Sequence, residues 1–202
     1  DENGKLKYEG EFEDGEKNGK GKAYQKNGIL GYEGKYKDDK FHGKGKLYEN
    51  GNLFHEGNFK DHEIHGKGIR YYEGKYGKQY QGDFIDAKFH GKGKAYHKNG
   101  NLFYEGEFED NKFQGEGKLY NENGILYYEG KFINDEFHGK GKIYYDNGKL
   151  IYEGKFKDCE EYMGIYYFYY DKSIIIIDNS KNIFKPTLTI KKNKKIYQIN
   201  CN

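Results

Sequence analysis

The sequence predicts an all-β fold: a single-layer, elongated antiparallel sheet of repeated β-hairpins, curved into a trough, with a short β cap at its C-terminal end. Three observations predict it: a composition rich in tyrosine and glycine, a motif recurring about every 24 residues, and strand-like alternation inside each recurrence. The 202 residues include 30 Gly, one Pro and no Trp; hydrophobic residues make up 34%, and 23 Tyr with 14 Phe supply about half of these. That is too little aliphatic matter for a three-dimensional core of Leu, Ile and Val. The aromatic richness and a net charge of only +2 do not fit a disordered chain either.

The repeat is defined by two glycine motifs. Tyr-Glu-Gly, or a variant of it, places glycines at Gly10, Gly34, Gly57, Gly82, Gly106, Gly130 and Gly154, 23 to 25 residues apart. Gly-Lys-Gly, or a close variant, ends at Gly21, Gly45, Gly68, Gly93, Gly117 and Gly141. Each unit reads as two strands. In the first, Leu102, Tyr104, Gly106 and Phe108 fall on one face and Phe103, Glu105 and Glu107 on the other, the period-2 signature. Between units stands Asn-Gly, at Asn27-Gly28, Asn99-Gly100, Asn123-Gly124 and Asn147-Gly148, a strong hairpin signal when both central residues take positive φ.

Treating these as two-residue loops sets the register. Lys22–Glu33, Lys46–Glu56, Ile69–Gln81, Lys94–Glu105, Lys118–Glu129 and Lys142–Glu153 become cross-strand pairs, with three-residue loops around Gly51 and Lys75. Where the lysine is lost its glutamate is lost too, as direct opposition predicts. The loop inside each unit spans seven residues from aromatic to glycine, as from Phe12 to Gly19. Closing it in register aligns thirteen glycines from Gly10 to Gly154, beside a row in which Phe12, Gly19, Tyr36, Gly43, Phe59, Gly66 and Phe84 alternate. A row without side chains lets a sheet bend sharply.

These repeats occupy residues 1–158; residues 159–202 read as a degenerate final unit and a basic β cap. Ile174–Ile177, Leu188–Ile190 and Ile196–Ile199 are short strands that close an edge otherwise open to aggregation. Residues 181–202 carry six lysines and no acid, so they hold +6, while residues 1–180, with 29 basic and 33 acidic side chains, hold −4. Lys191, Lys192, Lys194 and Lys195 are therefore candidates for anionic lipid, at about 1 kcal/mol per lysine near a membrane surface. The plainer reading is that they protect an edge strand. No apolar run reaches the roughly 18 residues of a spanning helix. Cys159 and Cys201 show no CxxC spacing and mildly favour a reducing compartment. The chain opens inside a linker hairpin at Asp1-Glu2-Asn3-Gly4, so a fragment or processed product is expected, with more repeats or another domain before it.

Site chemistry is sparse. His42, His65, His90 and His138 recur two strands apart, about 10 Å, too far to share a zinc ion, and Asn18 and Gln114 stand in the same place in other units. A hydrogen-bonding turn residue accounts for the whole column, so no metal is expected. The glutamate column from Glu33 to Glu153 is explained by its facing lysines. The only serines and threonines, Ser173, Ser180, Thr187 and Thr189, lie outside the repeats, and no glycine run has nucleotide-cradle spacing. No catalytic residue, cofactor, small-molecule substrate or nucleic-acid partner is expected; along the aromatic face the charges cancel.

One stripe invites a partner. On the Lys–Glu face the register pairs Tyr48 with Phe54, Tyr96 with Phe103 and Tyr120 with Tyr127, and places Tyr144 near Ile151. These pairs staple neighbouring strands of a one-layer sheet. They also form an aromatic surface that no second layer covers, and such surfaces mark partner sites.

Tyr-Glu-Gly-x-Phe-x-Asp followed by His-Gly-Lys-Gly-x-x-Tyr, at a period near 24, closely resembles the membrane occupation and recognition nexus (MORN) repeat. The resemblance covers residues 1 to about 158. It departs in having Phe12, Tyr36, Phe59, Phe84, Phe108, Phe132 and Phe156 where typical repeats carry tryptophan, and in the added Asn-Gly-x-Leu linker. The resemblance implies an extended β scaffold for cytoskeletal or membrane-associated assemblies, often dimeric, and carries over no catalytic residue. Members with kinase or methyltransferase domains exist, but this sequence contains neither. The expected function is a non-enzymatic scaffold for protein–protein interaction, cytoplasmic and peripheral to membrane or cytoskeleton. The alternative is a phosphoinositide-binding module acting through the basic C-terminal segment.

Overall fold

The structure, a computed structural model, describes residues 5–74, 77–157, 159–170, 173–178, 187–192 and 195–200. The chain divides into two compact units, Asp1–Leu102 with Phe108–Asn111 and Phe103–Glu107 with Lys112–Asn202. All described elements are β-strands. The first unit contains β1 (Tyr8–Glu13), β2 (Glu16–Tyr24), β3 (Leu30–Lys37), β4 (Lys40–Glu49), β5 (Asn52–Lys60), β6 (Glu63–Tyr71), β7 (Lys78–Ile85) and β8 (Lys88–Tyr96). Each pairs antiparallel with the next. β9 (Leu102–Glu109), which contributes to both units, pairs with β10 (Lys112–Tyr120). In the second unit β10 is followed by β11 (Leu126–Ile133), β12 (Glu136–Tyr144), β13 (Leu150–Lys157), β14 (Glu160–Tyr170), β15 (Ser173–Asp178), β16 (Thr187–Lys192) and β17 (Lys195–Asn200). These too are joined as antiparallel neighbours.

The glycine row has the expected register. Gly10, Gly21, Gly34, Gly45, Gly57, Gly68, Gly82 and Gly93 are successive cross-strand partners in the first unit. In the second unit Gly117, Gly130, Gly141 and Gly154 continue it, and Gly164 extends it by one. Lys22–Glu33, Lys46–Glu56, Ile69–Gln81, Lys118–Glu129 and Lys142–Glu153 are partners as expected.

Both kinds of loop differ from expectation. At the linkers, Gln25 N–H donates to Ile29 O (2.8 Å) and Gly28 N–H to Gln25 O (2.8 Å), enclosing three residues. In these loops only the glycine has positive φ, 86° at Gly28 and 90° at Gly100. The asparagine instead accepts a backbone N–H two residues on, Ile29 to Asn27 Oδ1 at 2.9 Å. Around Gly51, where three loop residues are expected, Asn50 and Gly51 (50° and 77°) form a two-residue turn with Glu49 opposite Asn52. A bulge in the following strand restores the glycine register in both kinds of linker, so Tyr48 faces Leu53, Tyr120 faces Leu126 and Tyr144 faces Leu150. Inside each unit the expected seven-residue loop is a two-residue turn followed by a glycine bulge. The turns have both φ values positive without needing glycine: Asp38 and Asp39 (50° and 64°), Asn134 and Asp135 (50° and 74°). The bulge brings Tyr36 opposite Phe41 and Phe132 opposite Phe137, while Gly43 and Gly139, at φ 64° and 63°, take the left-handed conformation. Glycine opposite aromatic therefore holds only across the linker hairpins, as in Gly19–Tyr36 and Gly43–Phe59.

The core is a line of rings on one face. Tyr32, Tyr80, Tyr104, Tyr128 and Tyr152 are fully buried, with Phe84 and Phe132. Each tyrosine ring lies back over a glycine pair: a Cβ on Gly34 would come within 2.5 Å of both Gly45 Cα and Tyr32 Oη. Its hydroxyl then donates to a carbonyl three residues on, Tyr32 to Lys35 O and Tyr128 to Lys131 O, both at 3.0 Å. Tyr32–Phe41, Tyr80–Phe89, Tyr104–Phe113 and Tyr128–Phe137 stack at 3.7–3.9 Å, and each tyrosine meets the next repeat's aromatic edge-on, as Tyr32 does Phe59 at 5.2 Å. Such pairs add roughly 0.5–1.5 kcal/mol each beyond burial. A chain poor in aliphatics thus packs a ring-on-ring core within one layer.

Candidate interaction surface

The face opposite the rings is polar and repeats with the fold. On either side of the glycines, every strand places one side chain. The first column is the Lys–Glu ladder, with contacts Lys22–Glu9 (3.6 Å), Lys46–Glu33 (3.8 Å), Lys118–Glu129 (4.0 Å) and Lys142–Glu129 (3.9 Å). The carboxylates also accept tyrosine hydroxyls from fifteen residues on: Tyr24 to Glu9 (2.7 Å), Tyr48 to Glu33 (3.3 Å), Tyr71 to Glu56 (2.6 Å), Tyr120 to Glu105 (2.8 Å) and Tyr144 to Glu129 (2.6 Å). Burial, then the bond to glutamate, pushes the Tyr71 and Tyr120 phenols up to about 12. The Tyr24 hydroxyl is the main influence holding the Glu9 carboxyl below its usual value.

The aromatic stripe is divided. Tyr48, Tyr120 and Tyr144 lie half-buried on the polar face, held by their glutamates. Phe54 and Tyr127 sit on the linker bulges and turn towards the ring face. Arg70 lies 5.2 Å over the Phe54 ring, Phe103 is 5.7 Å from Phe113, and Tyr127 is 6.4 Å from Phe137. The expected pairings Tyr48–Phe54 and Tyr120–Tyr127 are thus replaced by tyrosine–leucine pairs, because bulges at Phe54 and Tyr127 shift the strand end by one. Tyr96 is half-buried at the end of β8. Of the basic candidates, Lys191 is exposed on β16, Lys192 and Lys195 are partners in the last hairpin, and Lys194 lies outside the described residues.

In the histidine column, Asn18 Oδ1 and Gln114 Oε1 accept the turn N–H groups of Asp38 (3.3 Å) and Asn134 (3.1 Å). Among the described residues no three His, Cys, Asp or Glu side chains are grouped as metal ligands.

Family models match the chain repeatedly: the MORN repeat at residues 8–29, 32–53, 55–74 and 104–125, and the MORN repeat variant at residues 1–14, 89–110 and 137–158. The chain belongs to the MORN repeat family. Comparison with curated proteins gives no match. Each MORN match begins two residues before a glycine of the row, at Gly10, Gly34, Gly57 and Gly106, so the family repeat and the β-hairpin coincide, as in β1–β2 for residues 8–29. MORN repeats are known as scaffolds for protein and membrane interaction. Among the described residues no helix is long and apolar enough to cross a membrane.

Two features escaped the sequence reading. The constant fifteen-residue offset from glutamate to tyrosine is visible in the sequence and would have revealed the hydroxyl–carboxylate bonds. The second column beside the glycines, containing Lys20, Lys35, Lys44, Asn58 and Lys67, follows from the same alternation. With the glycines and the ladder it lines an open groove of about 1070 Å³ in the first unit.

Proposed function

We propose that this MORN protein is a non-enzymatic scaffold that holds protein partners, a second copy of itself among them, along aromatic side chains at the linker-hairpin ends of its repeats. The observation that carries this reading is Tyr127, which remains 41% exposed although it belongs to an aromatic cluster. Phe54 and Phe103 occupy the equivalent place in other repeats. Tyr48, Tyr96, Tyr120 and Tyr144 supply the adjoining surface on the polar face, and a row of rings with one wet end suits a partner site. The setting that fits is the cytoplasm, peripheral to membrane or cytoskeleton.

Replacing Phe103 and Tyr127 together by Ser is expected to weaken association, read by light scattering and pull-down, about tenfold or more while the folded fraction stays high. Early melting with normal binding by the remaining folded protein would make the cluster purely structural.

The exposed Lys191 and the +6 charge of residues 181–202 favour a second reading, anionic-lipid binding through Lys191, Lys192, Lys194 and Lys195. Glutamine at all four positions should then abolish sedimentation with phosphatidylserine vesicles at low salt.

A further inference from the structure

We infer that the glycine-floored groove of the first unit binds an extended, acidic peptide segment, with Lys20, Lys35, Lys44 and Lys67 as its anion-binding row. This names partner chemistry for the scaffold reading and rests on it.

Charge balance separates the two walls. On the ladder wall, Lys22 and Lys46 have carboxylates within 4.0 Å. On the other wall, the ammonium groups of Lys20, Lys35, Lys44 and Lys67 have none among the described residues, and all four side chains are exposed in the groove. Lys20 and Lys35 are direct cross-strand partners, an opposition of like charges that disfavours the sheet. Lys44 faces Asn58; the row is bounded by acids, Glu11 beside Lys20 and Asp83 facing Lys67, and no acid stands between those ends. A repulsive arrangement retained beside a concave surface is relieved by an anionic ligand.

Shape and sign choose the ligand. From β2 to β6 the row covers four strand steps, about 19 Å, matched by about six residues of extended chain. A bilayer is flat on that scale and cannot follow the groove floor. A polyphosphate or nucleic acid is negative throughout and would meet Glu33 and Glu56 on the ladder wall. An extended peptide with acids at alternate positions sets carboxylates against the lysines while its N–H groups and other side chains turn towards the glutamates.

The test uses the full chain and a fluorescein-labelled eight-residue peptide of alternating Glu and Ser, followed by anisotropy. Glutamine at Lys20, Lys35, Lys44 and Lys67 is expected to raise Kd about tenfold or more, and arginine at the same positions to preserve binding. Glutamine at Lys26, Lys37, Lys40 and Lys60, outside the groove lining, removes equal charge and is expected to change Kd less than about threefold. Equal weakening by both glutamine sets, or no preference for the acidic peptide over an all-Ser peptide, overturns the proposal. So does competition in which polyphosphate or phosphatidylserine vesicles bind the lysine row more tightly than the peptide. A loss confined to the Phe103 and Tyr127 variant would uphold the scaffold reading while this one fails.

Discussion

His55 takes the place that Tyr8, Tyr32, Tyr80, Tyr104, Tyr128 and Tyr152 hold in other repeats, and its partner across the strand is Arg70. The imidazole is fully buried and neither ring nitrogen has a hydrogen-bond partner. Burial first, and the Arg70 charge second, push its pKa down from 6.5 to about 4. The folded state therefore prefers neutral imidazole: stability is unaffected above the unfolded value and falls as pH drops from 6.5 towards 4, by about 1.4 kcal/mol per pH unit in that window. In His55→Tyr this acid-side slope should disappear from urea titrations at pH 7, 6 and 5. The variant should also gain about 1 kcal/mol at pH 7 from the hydroxyl bond its neighbours make. An unchanged slope would mean that another group titrates there. The break in the tyrosine column is legible in the sequence, but the burial of His55 is not, because it depends on how closely the glycine pair lets a ring approach.

At the hairpin scale, neighbouring units are joined through their turns. The second turn residue donates its N–H to a carbonyl of the preceding unit, Asn111 to Phe89 O (3.0 Å) and Asp135 to Phe113 O (3.1 Å). Its side chain accepts the N–H of the same residue, Phe89 to Asn111 Oδ1 (2.8 Å) and Phe113 to Asp135 Oδ1 (2.7 Å). This bracket explains Asp and Asn at positive φ where glycine is the conformational default. Ala87 keeps the backbone half, to Ile64 O at 2.9 Å, but has no side-chain acceptor. Ala87→Asn should therefore stabilise, and Asp135→Ala destabilise, each by about 0.5–1.5 kcal/mol in thermal denaturation. The same sign for both would show that the side-chain bond is inconsequential. Strand periodicity and the glycine register were readable because they repeat in every unit. The aromatic pairing was not, since the three-residue loops at Asn27-Gly28 and Asn123-Gly124 and the two-residue turn at Asn50-Gly51 are alike followed by a bulge with no sequence mark of its own.

Among the described residues, phenols recur through the buried core from Tyr32 to Tyr152. Burial raises the pKa of Tyr32, Tyr36, Tyr80, Tyr104 and Tyr128 above the usual value of 10, so their neutral forms stabilise the fold at neutral pH. This contribution is complete below pH 10 and is lost as pH rises towards the folded-state values. Alkaline unfolding should consequently be steep, with tyrosinate absorbance at about 295 nm developing in two stages, exposed phenols first and buried ones together with loss of the β signal in circular dichroism. Gradual ionisation of all phenols while the strands persist would contradict it. The same tyrosines act mechanically. Tyr32, Tyr80, Tyr104 and Tyr128 are each rooted on one side of the glycine row and, through the hydroxyl, tied to a carbonyl just beyond it, so each is a strut across a crease and fixes the angle at which that repeat is folded. Among the described residues only the third repeat, with His55 in the tyrosine's place, lacks the tie, and its crease is held by ring packing on Phe59 and Phe84 instead.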